Sequence, residues 1–232
     1  LPEIVWAMPR FGTFNVHAAL LPQYRGAAPI NWAVINGETK TGVTTFFLDH
    51  DIDTGRIIMQ KEFPIPDNAD VEYVYDGLMA LGADICIETV DAVINNDGNV
   101  PSQPQREDLP LKSAPKLFKE TCLINWNKEA KQVYDFVRGL SPVPGAWCEI
   151  VHNDEKPVVM KIFRTAKTDK PLTAKDQPGD ICAEGQHLLI AAADKWLEIV
   201  ELQLAGKKRM MAKDFLNGYD IKGKRVFMNF EF

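Results

Sequence analysis

Four prolines crowd into one short stretch near the middle of the chain, Pro101, Pro104, Pro110 and Pro115. Each removes a backbone donor and pushes the residue before it toward extended geometry, so this stretch is neither a helix interior nor a central strand. Together with the turn Asn96-Asp97-Gly98-Asn99 just before it, it reads as an interdomain linker over 101–118. A chain of 232 residues has room for one domain on either side. The expected division is therefore 1–100, a linker over 101–118, and 119–232.

The two sides differ in pattern. Residues 13–17 read as a short strand opening into a loop, and 28–36 as a helix with Pro29 in its first turn and Gly37 past its end. Residues 42–48 and 56–63 are β-rich runs around a loop dense in aspartate. Over 70–95, Val71, Val74, Leu78, Leu81, Ile85, Val90 and Val93/Ile94 follow the helical period and predict one long helix. After the break, 128–139 reads as an amphipathic helix ended by Gly139 and followed by Pro142 and Pro144. Short β-prone runs then follow at 146–151, 157–164, 180–183, 187–192 and 196–202, with a brief helix over 213–216. Turns such as Asn153-Asp154 and Pro178-Gly179 separate the runs, and that spacing predicts a small barrel or sandwich.

Several function classes are excluded early. The best apolar run, 188–193, is far shorter than the roughly 20 residues that cross a bilayer. Residues 1–3 offer no positive n-region of a signal peptide. Cys86, Cys122, Cys148 and Cys182 lie at least 26 positions apart, which argues against a zinc site or a disulfide framework and for reduced thiols in the cytoplasm. Charge is uneven. Residues 1–118 carry 8 basic and 16 acidic side chains, whereas 207–225 carry 7 basic and 2 acidic, a local excess suited to a polyanion.

Three motifs bear on chemistry. Asn15-Val16-His17 places an amide and an imidazole two positions apart, on one side of a strand, a pairing suited to acyl chemistry. A structural histidine is the plainer reading of that pair taken alone. Asp49-His50-Asp51-Ile52-Asp53-Thr54-Gly55 starts like a calcium loop but has Thr54 and Gln60 where the loop needs Gly and Glu. The same run spells an Asp-Thr-Gly triplet, yet the aspartic-protease mechanism needs a second carboxylate. No convincing metal cluster is visible. The third motif, from Leu20 through Arg25-Gly26-Ala27-Ala28-Pro29-Ile30, combines a flexible backbone with a guanidinium fork for carboxylate or phosphate.

Taken together, Asn15-x-His17, the Leu-Leu-Pro-x-Tyr-Arg-Gly-Ala-Ala-Pro run and Asp53-Thr54-Gly55 resemble the folate-dependent formyltransferase family. The Arg-Gly-Ala-Ala-Pro-Ile run is closest to the branch that formylates initiator methionyl-tRNA. Ile124-Asn125-Trp126, Pro142-Val143-Pro144-Gly145-Ala146-Trp147, Pro178-Gly179 and the 203–210 segment resemble its C-terminal domain. The resemblance implies an α/β fold: a partial Rossmann-like formyltransferase domain, then a β-rich, OB-like barrel. It implies catalytic Asn15, His17 and Asp53, and folate contacts from Ala19, Leu20, Leu21, Pro22 and Asp51. For tRNA it implies Arg25, Lys207, Lys208 and Arg209. The co-substrate would be 10-formyltetrahydrofolate, with no metal, and the partner methionyl initiator tRNA; a cytoplasmic monomer away from membranes is expected. Two departures stand out. Ala19 occupies a position where the family has Ser, and the family's first half-sheet is missing, so residues 1–100 read as the C-terminal half of a catalytic domain and the chain as truncated. Alternatives are a formyltransferase for a sugar-nucleotide amine or for glycinamide ribonucleotide, or a tRNA-binding module without activity.

Overall fold

A computed structural model describes residues 2–152 and 156–227, in two compact units that divide between Leu117 and Phe118. The turn expected at Asn153-Asp154 lies outside the described residues.

The first unit runs α1 (Glu3–Trp6), β1 (Phe14–His17), β2 (Arg25–Gly26), α2 (Pro29–Ile35), β3 (Lys40–Phe47), β4 (Ile57–Pro64), α3 (Val71–Asn95) and β5 (Ser113–Ala114). Strands β1, β3 and β4 form an antiparallel sheet in that order, and β2 pairs in parallel with β5. Helix α3 starts where Asp70 accepts the Tyr73 amide at 3.0 Å, satisfying one of the donors a helix start leaves open. It buries Val71, Val74, Leu78, Ile85 and Thr89 against the sheet. The Thr89 hydroxyl lies 2.7 Å from Ile85 O and 2.9 Å from Thr45 Oγ1. Its single hydrogen goes to the carbonyl, so Thr45 is the donor across to the helix. Val90 and Ile94, which the periodicity places in the core, stay exposed: each follows by one residue, about 100° of turn, the covered Thr89 and half-buried Val93.

The segment expected as a linker is stitched to this unit. Ile57 and Gln103 exchange two backbone hydrogen bonds at 2.8 and 2.9 Å. Tyr24 N donates to Lys112 O, Gln23 donates to Pro110 O, and the Trp32 indole donates to Pro115 O. Prolines lack the donor but keep the acceptor, so a proline-rich strand can still be tied down from one side.

The second unit holds a 3-10 turn (Glu120–Cys122), α4 (Ala130–Leu140), β6 (Ala146–His152), β7 (Val158–Pro171), β8 (Ile181–Glu184), β9 (His187–Ala191), β10 (Lys195–Leu204), β11 (Met210–Met211), α5 (Ala212–Gly218) and β12 (Lys224–Val226). The sheet order is β12-β6-β7-β10-β9-β8, antiparallel throughout, with β11 on β10. Asp180 bridges Arg225, and Val226 N donates to Gly179 O at 2.8 Å, so β12 returns to the β8 side and the barrel nearly closes. Register shifts between β7 and β10 let these long strands bend around it. Ile162, Leu188, Ile190, Leu197, Ile199 and Leu202 fill the interior, each below 2% exposed. Helix α4 opens with a capping box between Glu129 and Gln132 and packs on β7. The short strands at regular spacing are thus a barrel rather than an open sandwich. No helix among the described residues is long and apolar enough to cross a membrane.

Candidate active site

Strand β1 delivers Asn15 and His17 to one face of the sheet, opposite Phe46 and Thr44 of β3. Asn15 is exposed at the sheet's surface, whereas His17 is 6% exposed. The Phe46 ring stands edge-on to the imidazole, 6.3 Å between centroids. His17 Nε2 lies 2.9 Å from Tyr24 O. A carbonyl only accepts, so Nε2 must carry a proton, and Nδ1 is the nitrogen left for chemistry. That Nδ1 is 3.8 Å from Asp53 Oδ2, an ion-pair distance too long for a direct hydrogen bond. Tyr24 presents its carbonyl this way because its backbone is left-handed, φ 60°.

Asp53 sits in the loop between β3 and β4, also left-handed at φ 58°, its side chain 14% exposed. Aspartate tolerates this region better than most residues, at a cost of order 1–2 kcal/mol. Two groups hold it there. Gly26 N donates to Oδ2 at 3.0 Å, and Gln105 Nε2 donates to Asp53 O at 2.8 Å and Gly55 O at 2.9 Å. Gly26 has φ 129°, and a Cβ there would stand 2.4 Å from Ala114 O, so only glycine brings this amide to the carboxylate.

The 19–22 loop is pinned beneath. Thr44 Oγ1 donates to Ala19 O at 2.6 Å and accepts from Leu21 N at 3.1 Å and Gln60 Nε2 at 2.9 Å, using its full capacity. Ala19 and Leu21 are buried, with Leu20 and Pro22 half-buried. Asp51 is exposed on the aspartate loop, and next to it Ile52 is 79% exposed.

Among the residues expected at the tRNA, Arg25 turns its Nε and Nη2 to Gln105 Oε1, at 3.0 and 2.7 Å, instead of presenting an open fork. Lys207 and Lys208 are exposed in the second unit. Arg209 is already committed: it makes a two-pronged pair with Glu201 at 2.7 and 2.8 Å and lies over the Phe163 ring. The structure therefore brings His17 and Asp53 together, puts Asn15 on the same strand face, and occupies the cationic forks of Arg25 and Arg209.

Sequence reasoning missed Gln105, Thr44, Gln60 and Glu38. Glu38 accepts from Tyr24 OH at 2.6 Å and pairs with Lys112. Burial pushes its carboxyl upward, but these two donors outweigh it and hold the pKa below its ordinary value. The Tyr24 phenol moves far upward, first through burial and then through Glu38. A depressed carboxylate contributes stability above its unfolded pKa and loses it as pH falls through the folded one. Glu38→Gln should therefore destabilise by about 1 kcal/mol at neutral pH, the net worth of one hydrogen bond. In urea titrations the difference should shrink as pH falls below the ordinary glutamate value of 4.5 and vanish once pH is below the depressed folded pKa. A deficit that persists in acid would show that the charge is not what stabilises.

Among the described residues no group of three or more His, Cys, Asp or Glu side chains could hold a metal ion. A cleft of about 460 Å³ beside Lys170 and Trp196 and an apolar hollow of about 230 Å³ beside Phe11 and Val93 are not lined by Asn15, His17 or Asp53. The paired acid and base, not the larger hollow, mark the candidate site.

Comparison with known proteins follows the same division. A family described as "Formyl transferase" matches residues 1–90, and "Formyl transferase, C-terminal domain" matches 116–220. The methionyl-tRNA formyltransferase of Phocaeicola vulgatus is 55% identical over 224 residues, covering 94% of this chain and 68% of that protein. That of Flavobacterium psychrophilum is 45% identical over 218 residues. Among solved structures, HypX from Aquifex aeolicus in complex with tetrahydrofolic acid aligns at TM-score 0.63 and 22% identity, covering 96% of this chain and 37% of that one. WlaRD, a sugar 3N-formyl transferase, aligns at TM-score 0.59 and 22% identity over 84% of this chain and 66% of that one. At such identity these two likenesses are of fold alone.

Proposed function

The chain belongs to the methionyl-tRNA formyltransferase family, and from that premise we propose that it moves a formyl group from 10-formyltetrahydrofolate to the α-amine of methionyl initiator tRNA, with Asn15, His17 and Asp53 carrying the chemistry. The observation behind the assignment of residues is the buried His17–Asp53 pair with Asn15 open on the same strand face.

The folate supplies the formyl group, whose carbon bonds to the amine as its bond to N10 breaks, the amine losing one proton and N10 gaining one. The donor set suits such a group: an exposed amide beside a buried acid–base pair can meet a carbonyl oxygen that gains charge. Asn15 donates its amide N–H to that oxygen. His17, its Nε2 proton held by Tyr24 O, acts through Nδ1, donating toward the same oxygen or toward the leaving nitrogen. Asp53 stabilises the imidazolium and collects the proton shed by the amine. The buried 19–22 backbone and Asp51 form the folate side, with Lys207 and Lys208 as phosphate contacts in the barrel. Four free thiols suit a cytoplasmic setting, in which the chain acts as a monomer.

Among the alternatives, a sugar-nucleotide amine has the weaker support, since WlaRD resembles this chain at 22% identity and the Phocaeicola vulgatus tRNA formyltransferase at 55%. The test supplies the full-length protein with 10-formyltetrahydrofolate and, in separate reactions, methionyl-tRNA and an amino-sugar nucleotide. Formylated methionine on tRNA alone is expected. Transfer to the sugar would overturn the acceptor, and tRNA binding without transfer to either would favour a binding module.

A further inference from the structure

We infer that Gln105 is a positioning residue for formyl transfer, locking the catalytic loop to the Arg25 arm so that the Asp53 carboxylate meets His17. The inference rests on the function proposed above. Gln105 lies in the segment the sequence presents as a linker, yet its side chain makes four hydrogen bonds. The orientation of its amide is unambiguous. Nε and Nη2 of Arg25 can only donate, so they face Oε1; Asp53 O and Gly55 O can only accept, so they face Nε2. One planar group thus ties β2 to the carbonyl of a left-handed aspartate and to that of Gly55, two residues on.

The same strand supplies the other restraint. Gly26, next to Arg25, donates its amide to Asp53 Oδ2 at 3.0 Å. The aspartate is therefore held through its carboxylate by Gly26 of β2 and through its backbone by Gln105, itself anchored on Arg25 of β2. Remove the Gln105 tie and Asp53 keeps only its side-chain contacts, to Gly26 N and His17, while its strained φ has less to hold it. A displacement near 1 Å of a catalytic group costs about 10²-fold in rate.

Two variants separate this role from folding. Gln105→Met keeps the length and removes all four hydrogen bonds. Gln105→Glu keeps the Arg25 side as a charge-assisted pair but turns a carboxylate oxygen toward two carbonyls. Both should lower kcat by about 10²-fold with KM for methionyl-tRNA near wild type, measured at a temperature where circular dichroism shows each variant folded. Single-turnover rates then decide the mechanism. Groups acting as a unit are not additive, so Gln105→Met should cost nothing further in an Asp53→Ala background. Wild-type kcat in both variants, or an equal loss with and without Asp53, would overturn the inference. If Asp53→Ala alone turned over normally, the catalytic assignment beneath it would fall, and this inference with it.

Discussion

Asn15→Ala, His17→Ala and Asp53→Ala are each expected to leave a folded protein whose kcat has collapsed. On the proposed roles, loss of the Asn15 amide removes one oxyanion donor, which costs about 10²–10³-fold. Loss of His17 removes the proton carrier, worth about 10²–10⁴-fold. Asp53 should cost about as much, because without it the imidazolium at Nδ1 has no anion at 3.8 Å. The pattern across variants is the stronger test. His17 and Asp53 act as one unit, so the double variant should be little slower than either single one, whereas Asn15→Ala combined with His17→Ala should fall further. Burial of His17 makes its removal a stability risk, so circular dichroism should accompany the kinetics. Near-normal turnover in any single variant would remove that residue from the mechanism.

Gly55→Ala is expected to be nearly as damaging without touching a reacting group. A Cβ on Gly55 would stand 1.7 Å from Phe47 O and 2.8 Å from its carbonyl carbon. That oxygen belongs to β3, the middle strand of its sheet, so the loop rather than the strand must move. Overpacking of this kind costs about 1–3 kcal/mol. A kinetic cost should accompany the thermodynamic one, because Gly55 O is one of the two carbonyls tied by Gln105 and Asp53 is two residues away. Activity should fall by about 10²-fold. A urea midpoint and a kcat on the same preparation check both numbers. Full activity would mean that the loop tolerates another shape.

How far the sequence reached depends on how local each feature is. The long helix over 70–95 was legible because its period and its Asp70 cap lie within one segment. The barrel was legible as evenly spaced short strands. Val90 and Ile94 were misplaced because each lies one residue, about 100° of turn, past the covered positions Thr89 and Val93. The ties of the 101–118 stretch to the first unit were not legible either. Proline content describes donors lost, whereas this stretch is held through acceptors and through Gln103 and Gln105 pairing with residues about 50 positions away.

The site divides along the same line. Asn15 and His17 share a face because they are two apart on a strand, and sequence alone determines that. The motif also identifies the aspartate loop as a partner. Only the tertiary structure decides the rest: which nitrogen of His17 is spoken for, that Asp53 is held left-handed beside the other, and that Arg25 and Arg209 spend their forks on Gln105 and Glu201. Charge and residue type travel with the sequence. Whether a charged group faces a ligand or a neighbour depends on distances of a few ångströms, set by strand register and loop closure between residues far apart in the chain.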